Sequence, residues 1–198
     1  IDPELRCYRT VLAENARAQA RAAQDRLDAG ERLPLLGVPI AVKDDTDVAG
    51  EVTTFGSSAH GPAATADAEV IRRLRAAGAV ILGKTTVPEM MIWPFTETLT
   101  YGATRNPWNP GYAPGGSSGG SGTAVAAGLV AMALGSDGMG SIRIPATWCG
   151  LFGIKPQRDR GPMSPHDDSW CGLVAYGPLA RTVEDAALFL DATTGGGF

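Results

Sequence analysis

Lysine and histidine are both scarce in this chain of 198 residues. Of its 17 basic side chains only three are lysines, Lys43, Lys84 and Lys155, and its two histidines are His60 and His166. Because arginine supplies most of the positive charge, each lysine is a candidate for a specific role. Two histidines, each next to a proline or glycine segment, leave little material for a metal site or for a triad with a histidine base.

Cysteine is rare and unpatterned, and long apolar runs are missing. Cys7, Cys149 and Cys171 form no CxxC pair, which excludes a zinc ribbon and a thioredoxin motif. Their odd number is typical of a reducing compartment. No apolar stretch approaches the roughly 18 residues of a membrane-spanning helix, and a net charge of −4 gives no electrostatic reason to bind nucleic acid. We therefore expect a cytoplasmic protein with no membrane or nucleic-acid partner.

The chain alternates segments of helical character with short, continuous apolar runs. Helices are expected at residues 2–29, 67–77, 123–130 and 182–192, and strands at 35–42, 79–82, 132–134 and 151–154. This alternation predicts an α/β fold with a buried, mainly parallel sheet. About four strands are few for a sheet covered on both faces. We therefore expect residues 1–198 to be a single domain that is truncated at both ends.

Residues 78–85 match the phosphate-binding pattern GxxxxGK[ST] letter for letter. A P-loop, however, needs a strand before it and a helix after it. Here a predicted helix comes first, and the four variable residues, Ala-Val-Ile-Leu, have the composition of a strand. We therefore interpret the segment as a glycine that ends a helix, followed by a buried strand.

Two segments rich in glycine and serine are candidates for a nucleophile site, residues 115–121 (GGSSGGS) and residues 135–145 (GSDGMGSIRIP). Glycine-dense turns can present hydroxyls and free backbone N–H groups to a substrate oxygen, although the first segment also has the composition of a flexible linker. Neither segment contains a histidine. The remaining candidate for a base is a lysine kept neutral by burial, and Lys43 stands at the end of a predicted strand.

At these residues the chain resembles the amidase signature family of Ser-Ser-Lys amide hydrolases. The matching segments are GVPIAVKDDTDVAG (37–50), GAVILGKTTVPEM (78–90), NPW (106–108), PGGSSGGSG (114–122), GSDGMGSIRIPATWCGLFGIKP (135–156) and GPLARTVEDAALFLDAT (177–193). They cover nearly the whole chain, in the family's order of Lys43, Ser117 and Ser141. The resemblance implies a mixed, mostly parallel sheet covered by helices on both faces, here as an incomplete portion.

The resemblance also implies a role for each matching residue. Ser141 would be the nucleophile that forms an acyl-enzyme, Ser117 would be the bridging serine after a cis peptide bond from Gly116, and Lys43 would be the base of the relay. The oxyanion hole would be formed by the backbone amides of Gly138, Met139, Gly140 and Ser141, with support from Ser118, Asp137 and Arg143. Lys84 and Lys155 match structural positions. No metal or organic cofactor is implied, and the expected partners are a small amide substrate and, as an open alternative, a second copy in a homodimer.

Burial must hold Lys43 neutral, since the ordinary pKa of lysine is about 10.4. A nearby carboxylate would oppose this, and Asp44 and Asp45 follow directly in the sequence. Because side chains alternate along a strand, we expect Asp44 to point away from Lys43.

Three functions remain open: a stand-alone amidase, the glutaminase component of a tRNA-dependent amidotransferase, and a catalytically impaired scaffold. The apolar segment 87–95 favours the first. Met139, where the family has glycine, is the main argument for the third, because a positive φ there would strain the oxyanion turn. The alternative is a negative φ, with Met139 pointing into the core or the acyl pocket. Four apolar side chains are candidates either for that pocket or for the core: Met90, Met91, Trp93 and Phe95.

Overall fold

The structure is a computed structural model that describes residues 2–167 and 169–194. The strands are β1 (Tyr8–Val11), β2 (Pro39–Lys43), β3 (Val80–Thr85), β4 (Glu97–Thr98), β5 (Gly102–Ala103), β6 (Met132–Asp137), β7 (Phe152–Gly153) and β8 (Ala175–Ala180). Six of them form one sheet in the order β1-β3-β2-β6-β8-β7, and β4 and β5 form a separate hairpin. At the centre, β2 is parallel to both β3 and β6, while β1 and β8 are antiparallel to their neighbours. The expected α/β fold with a mixed, mostly parallel sheet is confirmed, since β2, β3, β6 and β7 run in the same direction.

Helices pack on both faces of this sheet. They are α1 (Asp2–Leu5), α2 (Ala13–Asp28), α3 (Glu69–Ala76), α4 (Gly119–Ala126), α5 (Arg143–Cys149) and α6 (Val183–Thr194), with a 3-10 turn at Glu89–Met91. On one face, Ile40 and Val42 of β2 pack in a core that contains residues of α3 and α6. On the other face, Ala41 packs in a core that contains residues of α4. Because side chains alternate along a strand, Lys43 falls on the same face as Ala41 and α4. Among the described residues, no helix is both long and apolar enough to cross a membrane.

The long helix expected over residues 2–29 is interrupted. The chain leaves α1 through Arg6, which has a φ of 53°, and then forms β1, which pairs antiparallel with β3. Asp2 does not cap a continuous helix, because its carboxylate accepts hydrogen bonds from the amides of Cys7 and Tyr8 at 2.8 and 3.2 Å. The prediction of a continuous helix was wrong because residues 8–11 pair with the edge of the sheet instead. They include an aromatic and two β-branched side chains, which favour a strand.

The count of about four strands was also too low. Strand β8 contains the dipeptide Gly177-Pro178, which sequence reasoning assigns to turns, yet all six of its residues are buried and pair with β6. Helix α5, which begins within the second glycine-rich segment, was not anticipated either. The rejection of a P-loop is confirmed, since Gly83, Lys84 and Thr85 lie within β3, after α3.

Candidate active site

The Lys43 side chain is fully buried at the end of β2, with 0% exposure. Its Nζ lies 2.8 Å from Ser117 Oγ, 2.8 Å from Ser136 Oγ and 3.2 Å from the carbonyl oxygen of Ser136. Burial lowers the pKa of Lys43, and the Asp45 carboxylate partly opposes this effect. The surroundings therefore favour the neutral amine, which is the form that can accept a proton.

The two aspartates after Lys43 turn in different directions. Asp44 points away as expected, and its carboxylate pairs with Arg9 Nε at 2.6 Å and with Lys84 Nζ at 3.0 Å. Asp45 turns back, so that its Oδ2 lies 3.6 Å from Lys43 Nζ and accepts a hydrogen bond from Ser136 Oγ. A carboxylate is therefore present beside the candidate base, and it belongs to Asp45.

Ser117 lies on a loop that is packed too tightly to act as a linker. The peptide bond from Gly116 to Ser117 is cis, as the resemblance implies. A Cβ on Gly116 would come within 2.7 Å of the backbone nitrogen of Phe95, and one on Gly120 within 2.5 Å of that of Thr86. The glycines permit this close backbone approach, so the flexible-linker interpretation is wrong. Helix α4 accordingly begins at Gly119, within the glycine-rich segment.

The loop between β6 and α5 carries Ser141 and is organised by Asp137. This buried carboxylate accepts hydrogen bonds from the amides of Gly140 at 2.6 Å and Ile142 at 3.1 Å, and from Arg143 Nε at 2.9 Å. Burial by itself would raise the pKa of Asp137, but the bonds from Arg143, Gly140 and Ile142 bring it down to about 2. The Ser118 amide also donates to the Ser141 carbonyl at 3.1 Å, which joins the two serine loops.

Met139 is not strained. The positive φ of the turn falls on Gly140, at 118°, and the φ of Met139 lies outside the left-handed region. The Met139 side chain is 75% exposed at the mouth of a cavity. The alternative in which this methionine distorts the turn is therefore wrong.

The backbone amides of this turn differ in their availability. That of Gly140 donates to Asp137, so it is not free for a substrate oxygen, which corrects the expectation for this residue. Those of Gly138, Met139 and Ser141 have no hydrogen-bond partner in the described part of the chain. These three are the N–H groups that remain as candidates for an oxyanion hole.

A cavity of about 280 Å³ joins the two loops. Its polar lining includes Ser117, Ser141, Ser136 and Asp45. Much of the remaining wall is apolar and includes Met91, Ile92, Trp93, Pro94, Ile144 and Val174. Of the four apolar side chains proposed for a pocket, Met91 and Trp93 line it, whereas Phe95 stacks on Trp93 with ring centroids 5.7 Å apart.

Several residues of the cavity were not anticipated. His166, which the sequence did not place in the site, lines the wall, and its Nε2 lies 3.7 Å from Asp47 Oδ2. Ser136 contacts Lys43 directly, although the only local signal was its place after a predicted strand. His60 is exposed, with its ring beside the Gly61 carbonyl. The described residues contain no cluster of three His, Cys, Asp or Glu side chains arranged to hold a metal.

Comparison with known proteins gives consistent matches over nearly the whole chain. The sequence model of the Amidase family matches residues 1–196. A Mycobacterium tuberculosis protein named "Putative amidase AmiB2" is 72% identical over 194 residues, which cover 98% of this chain and 42% of that protein. A glutamyl-tRNA(Gln) amidotransferase subunit from Syntrophobacter fumaroxidans is 45% identical over 207 residues, covering 98% of this chain and 40% of that protein.

Solved structures give a similar result. The structure of 6-aminohexanoate cyclic dimer hydrolase complexed with substrate superposes with a TM-score of 0.89 at 41% identity, covering all of this chain and 41% of that one. The chain thus spans about two fifths of the length of the relatives it matches.

Proposed function

This chain belongs to the Amidase family, and on that basis we propose that it carries the catalytic centre of an amide hydrolase that works through a serine acyl-enzyme. The observation that carries the proposal is the 2.8 Å contact between the buried Lys43 amine and Ser117 Oγ, at the wall of a cavity that Ser141 also lines. In this mechanism Lys43 is the base, Ser117 the relay and Ser141 the nucleophile.

The attack on the substrate moves a proton from Ser141 to Ser117 and another from Ser117 to Lys43. Ser141 Oγ attacks the amide carbon and gives its proton to Ser117 Oγ, while the Ser117 proton passes to Lys43 Nζ. The electron pair of the C=O double bond moves to oxygen, where backbone N–H groups of Gly138, Met139 and Ser141 stabilise the charge. One such donor is typically worth a factor of about 10²–10³ in rate.

Collapse of the intermediate reverses the proton path. The lysine proton returns through Ser117 to the leaving nitrogen, the oxyanion re-forms the C=O bond as the C–N bond breaks, and an ester on Ser141 remains. Water then attacks this ester through the same relay and releases the acid. No cofactor enters either step, since the amine and hydroxyl groups supply both acid and base.

Labelling with a fluorophosphonate probe tests the proposal. The probe should modify Ser141, and Ser141→Ala should abolish labelling. Ser169→Ala, which changes a serine on the same cavity but outside the relay, should label like the unmodified protein. Attachment to Ser118 or Ser121 instead of Ser141 would contradict the mechanism.

The substrate class follows from the apolar wall of the cavity. Met91, Ile92 and Trp93 line it together with Ile144 and Val174, so we propose a small amide with an apolar acyl or aryl group. A solved relative is described as 6-aminohexanoate cyclic dimer hydrolase, a name that denotes a substrate built largely of methylene groups.

The second candidate is the glutaminase component of an amidotransferase, which the 45% identity to such a protein favours. Turnover of free glutamine compared with an aryl-acyl amide separates the two: a stand-alone amidase prefers the apolar substrate, whereas a glutaminase prefers glutamine. The impaired-scaffold alternative loses its main support, because Met139 is unstrained.

A further inference from the structure

The Ser136 hydroxyl lies between the candidate base and a carboxylate. Its oxygen is 2.8 Å from Lys43 Nζ, and its O–H donates a hydrogen bond to Asp45 Oδ2. Ser136 is 4% exposed and Asp45 is 5% exposed, so both are largely shielded from water although they line the cavity. The three groups form a buried chain that is separate from the contact between Lys43 and Ser117.

The direction of these hydrogen bonds follows from counting protons. A serine hydroxyl has a single proton, and an ionised carboxylate can only accept. The Ser136 proton is therefore directed to Asp45, and Ser136 Oγ can only accept from Lys43. The Ser136 carbonyl oxygen, 3.2 Å from Nζ, is also an acceptor.

These two acceptors fix the orientation of a neutral amine. A neutral lysine amine has two N–H bonds and one lone pair. If both N–H bonds are directed to Ser136, the lone pair faces the remaining neighbour, Ser117 Oγ at 2.8 Å. This is the orientation in which Lys43 can take the Ser117 proton.

We propose that Asp45 is a positioning residue for Lys43: its carboxylate holds the Ser136 hydroxyl as an acceptor and thereby directs the lysine lone pair at Ser117. The inference rests on the proposed relay of Lys43, Ser117 and Ser141. Without the carboxylate, the Ser136 hydroxyl could rotate and donate to the same lone pair, in competition with Ser117.

The negative charge of Asp45 has a second effect, which works against the base function of Lys43. A carboxylate 3.6 Å away favours the protonated amine, so its removal lowers the pKa of Lys43. The other titratable groups near the site come from several elements: Asp137 on β6, Lys84 on β3, Tyr176 on β8, and His166 and Asp47 in loops. Of the carboxylates in the described part of the chain, Asp45 is the one that contacts Lys43.

Two substitutions of Asp45 separate the effect of its negative charge from its effect on the direction of the Ser136 hydroxyl. Asp45→Asn removes the charge but keeps an oxygen acceptor for Ser136. In the pH profile of kcat/KM, the maximum should therefore fall less than tenfold, and the rise on the acidic side should move to a pH lower by about one unit or more. Asp45→Ala removes the acceptor as well, and the plateau should fall about 10²-fold or more, the scale of a lost general base. Ser136→Thr, which keeps the hydroxyl, should retain more activity than Ser136→Ala.

A spectroscopic measurement tests the coupling without any turnover. Lysine Cε chemical shifts, followed by ¹³C NMR against pH and assigned to Lys43 with Lys43→Met, report the pKa of this amine. That pKa should fall in Asp45→Asn and stay unchanged in Asp47→Asn, which removes the same charge two residues further along. If the wild-type protein hydrolyses no amide but the shift appears, the proposed function is wrong and the coupling of Asp45 to Lys43 stands.

Two results would overturn the inference. One is a Lys43 pKa that is the same in the wild-type protein and in the Asp45→Asn variant. The other is a folded Asp45→Ala variant with the wild-type plateau of kcat/KM, since Ser136 then needs no carboxylate to direct the lysine.

Discussion

Two equally buried lysines should respond in opposite ways to the same substitution. Lys43 and Lys84 are both 0% exposed, but Lys43 contacts the serines of the cavity, whereas Lys84 pairs with Asp44 at 3.0 Å and donates to Thr53 and to the Val52 carbonyl. Methionine has nearly the shape of lysine without its charge, so each Lys→Met variant tests the amine and not the packing.

Lys43→Met should abolish most of the activity and leave the fold intact. A general base contributes about 10²–10⁴-fold in rate, and the relay has no second amine at this position, so kcat should fall by a factor of about 10³ or more with little change in KM. Stability should change little, because burial disfavours the charged amine and Asp45 keeps its hydrogen bond from Ser136.

Lys84→Met should lower the stability of the fold and leave most of the activity. Removing one partner of a buried ion pair costs about 3–5 kcal/mol, and the lower part of that range is expected because Asp44 keeps Arg9 at 2.6 Å. Urea unfolding measures the stability, and initial rates on an aryl-acyl amide at matched folded fraction measure kcat. Full turnover in Lys43→Met, or lost turnover with unchanged stability in Lys84→Met, would refute the assignment of Lys43 as the base.

Three further outcomes are expected. The pKa of Asp137 is about 2 in the folded protein, below the unfolded-state value of about 3.9. Its hydrogen bonds therefore stabilise the fold fully above about pH 3.9, and this stabilisation is lost as pH falls through about 2. A shift of this size is worth about 2–3 kcal/mol, so acid unfolding of Asp137→Asn should be shallower below pH 4 and its stability lower at pH 7. Met139→Gly should leave kcat within about threefold of wild type, because the turn is not strained, and a tenfold gain in initial rate would contradict the φ assigned to Met139. Trp93→Ala should raise KM for amides with large apolar acyl groups and leave an acetamide unaffected, as measured by steady-state kinetics on the two substrates; an equal change for both would mean that Trp93 does not contact the acyl group.

Local pattern was sufficient for much of the fold. The strand that ends at Lys43 and the strand within the false P-loop were predicted because continuous apolar runs between helical segments indicate buried parallel strands. Strands β1 and β8 were missed because their local sequence patterns do not indicate strands. Residues 8–11 adjoin a helix-rich segment and Gly177-Pro178 resembles a turn, so both depend on pairing with distant strands, β3 and β6.

The candidate site, like the fold, was predictable from the sequence only in part. Lys43, Ser117 and Ser141 could be proposed from the sequence, because they stand in short motifs that resemble those of the amidase signature family. The contacts among them could not: the Lys43–Ser117 bond joins residues 74 apart, and the Asp45–Ser136 bond joins residues 91 apart. Strand alternation predicts that Asp44 points away from Lys43, but β2 ends at Lys43, so no periodicity fixes the direction of Asp45. Only the packing of β6 beside β2 places Ser136 within reach of both Asp45 and Lys43, and so decides which carboxylate lies beside the base.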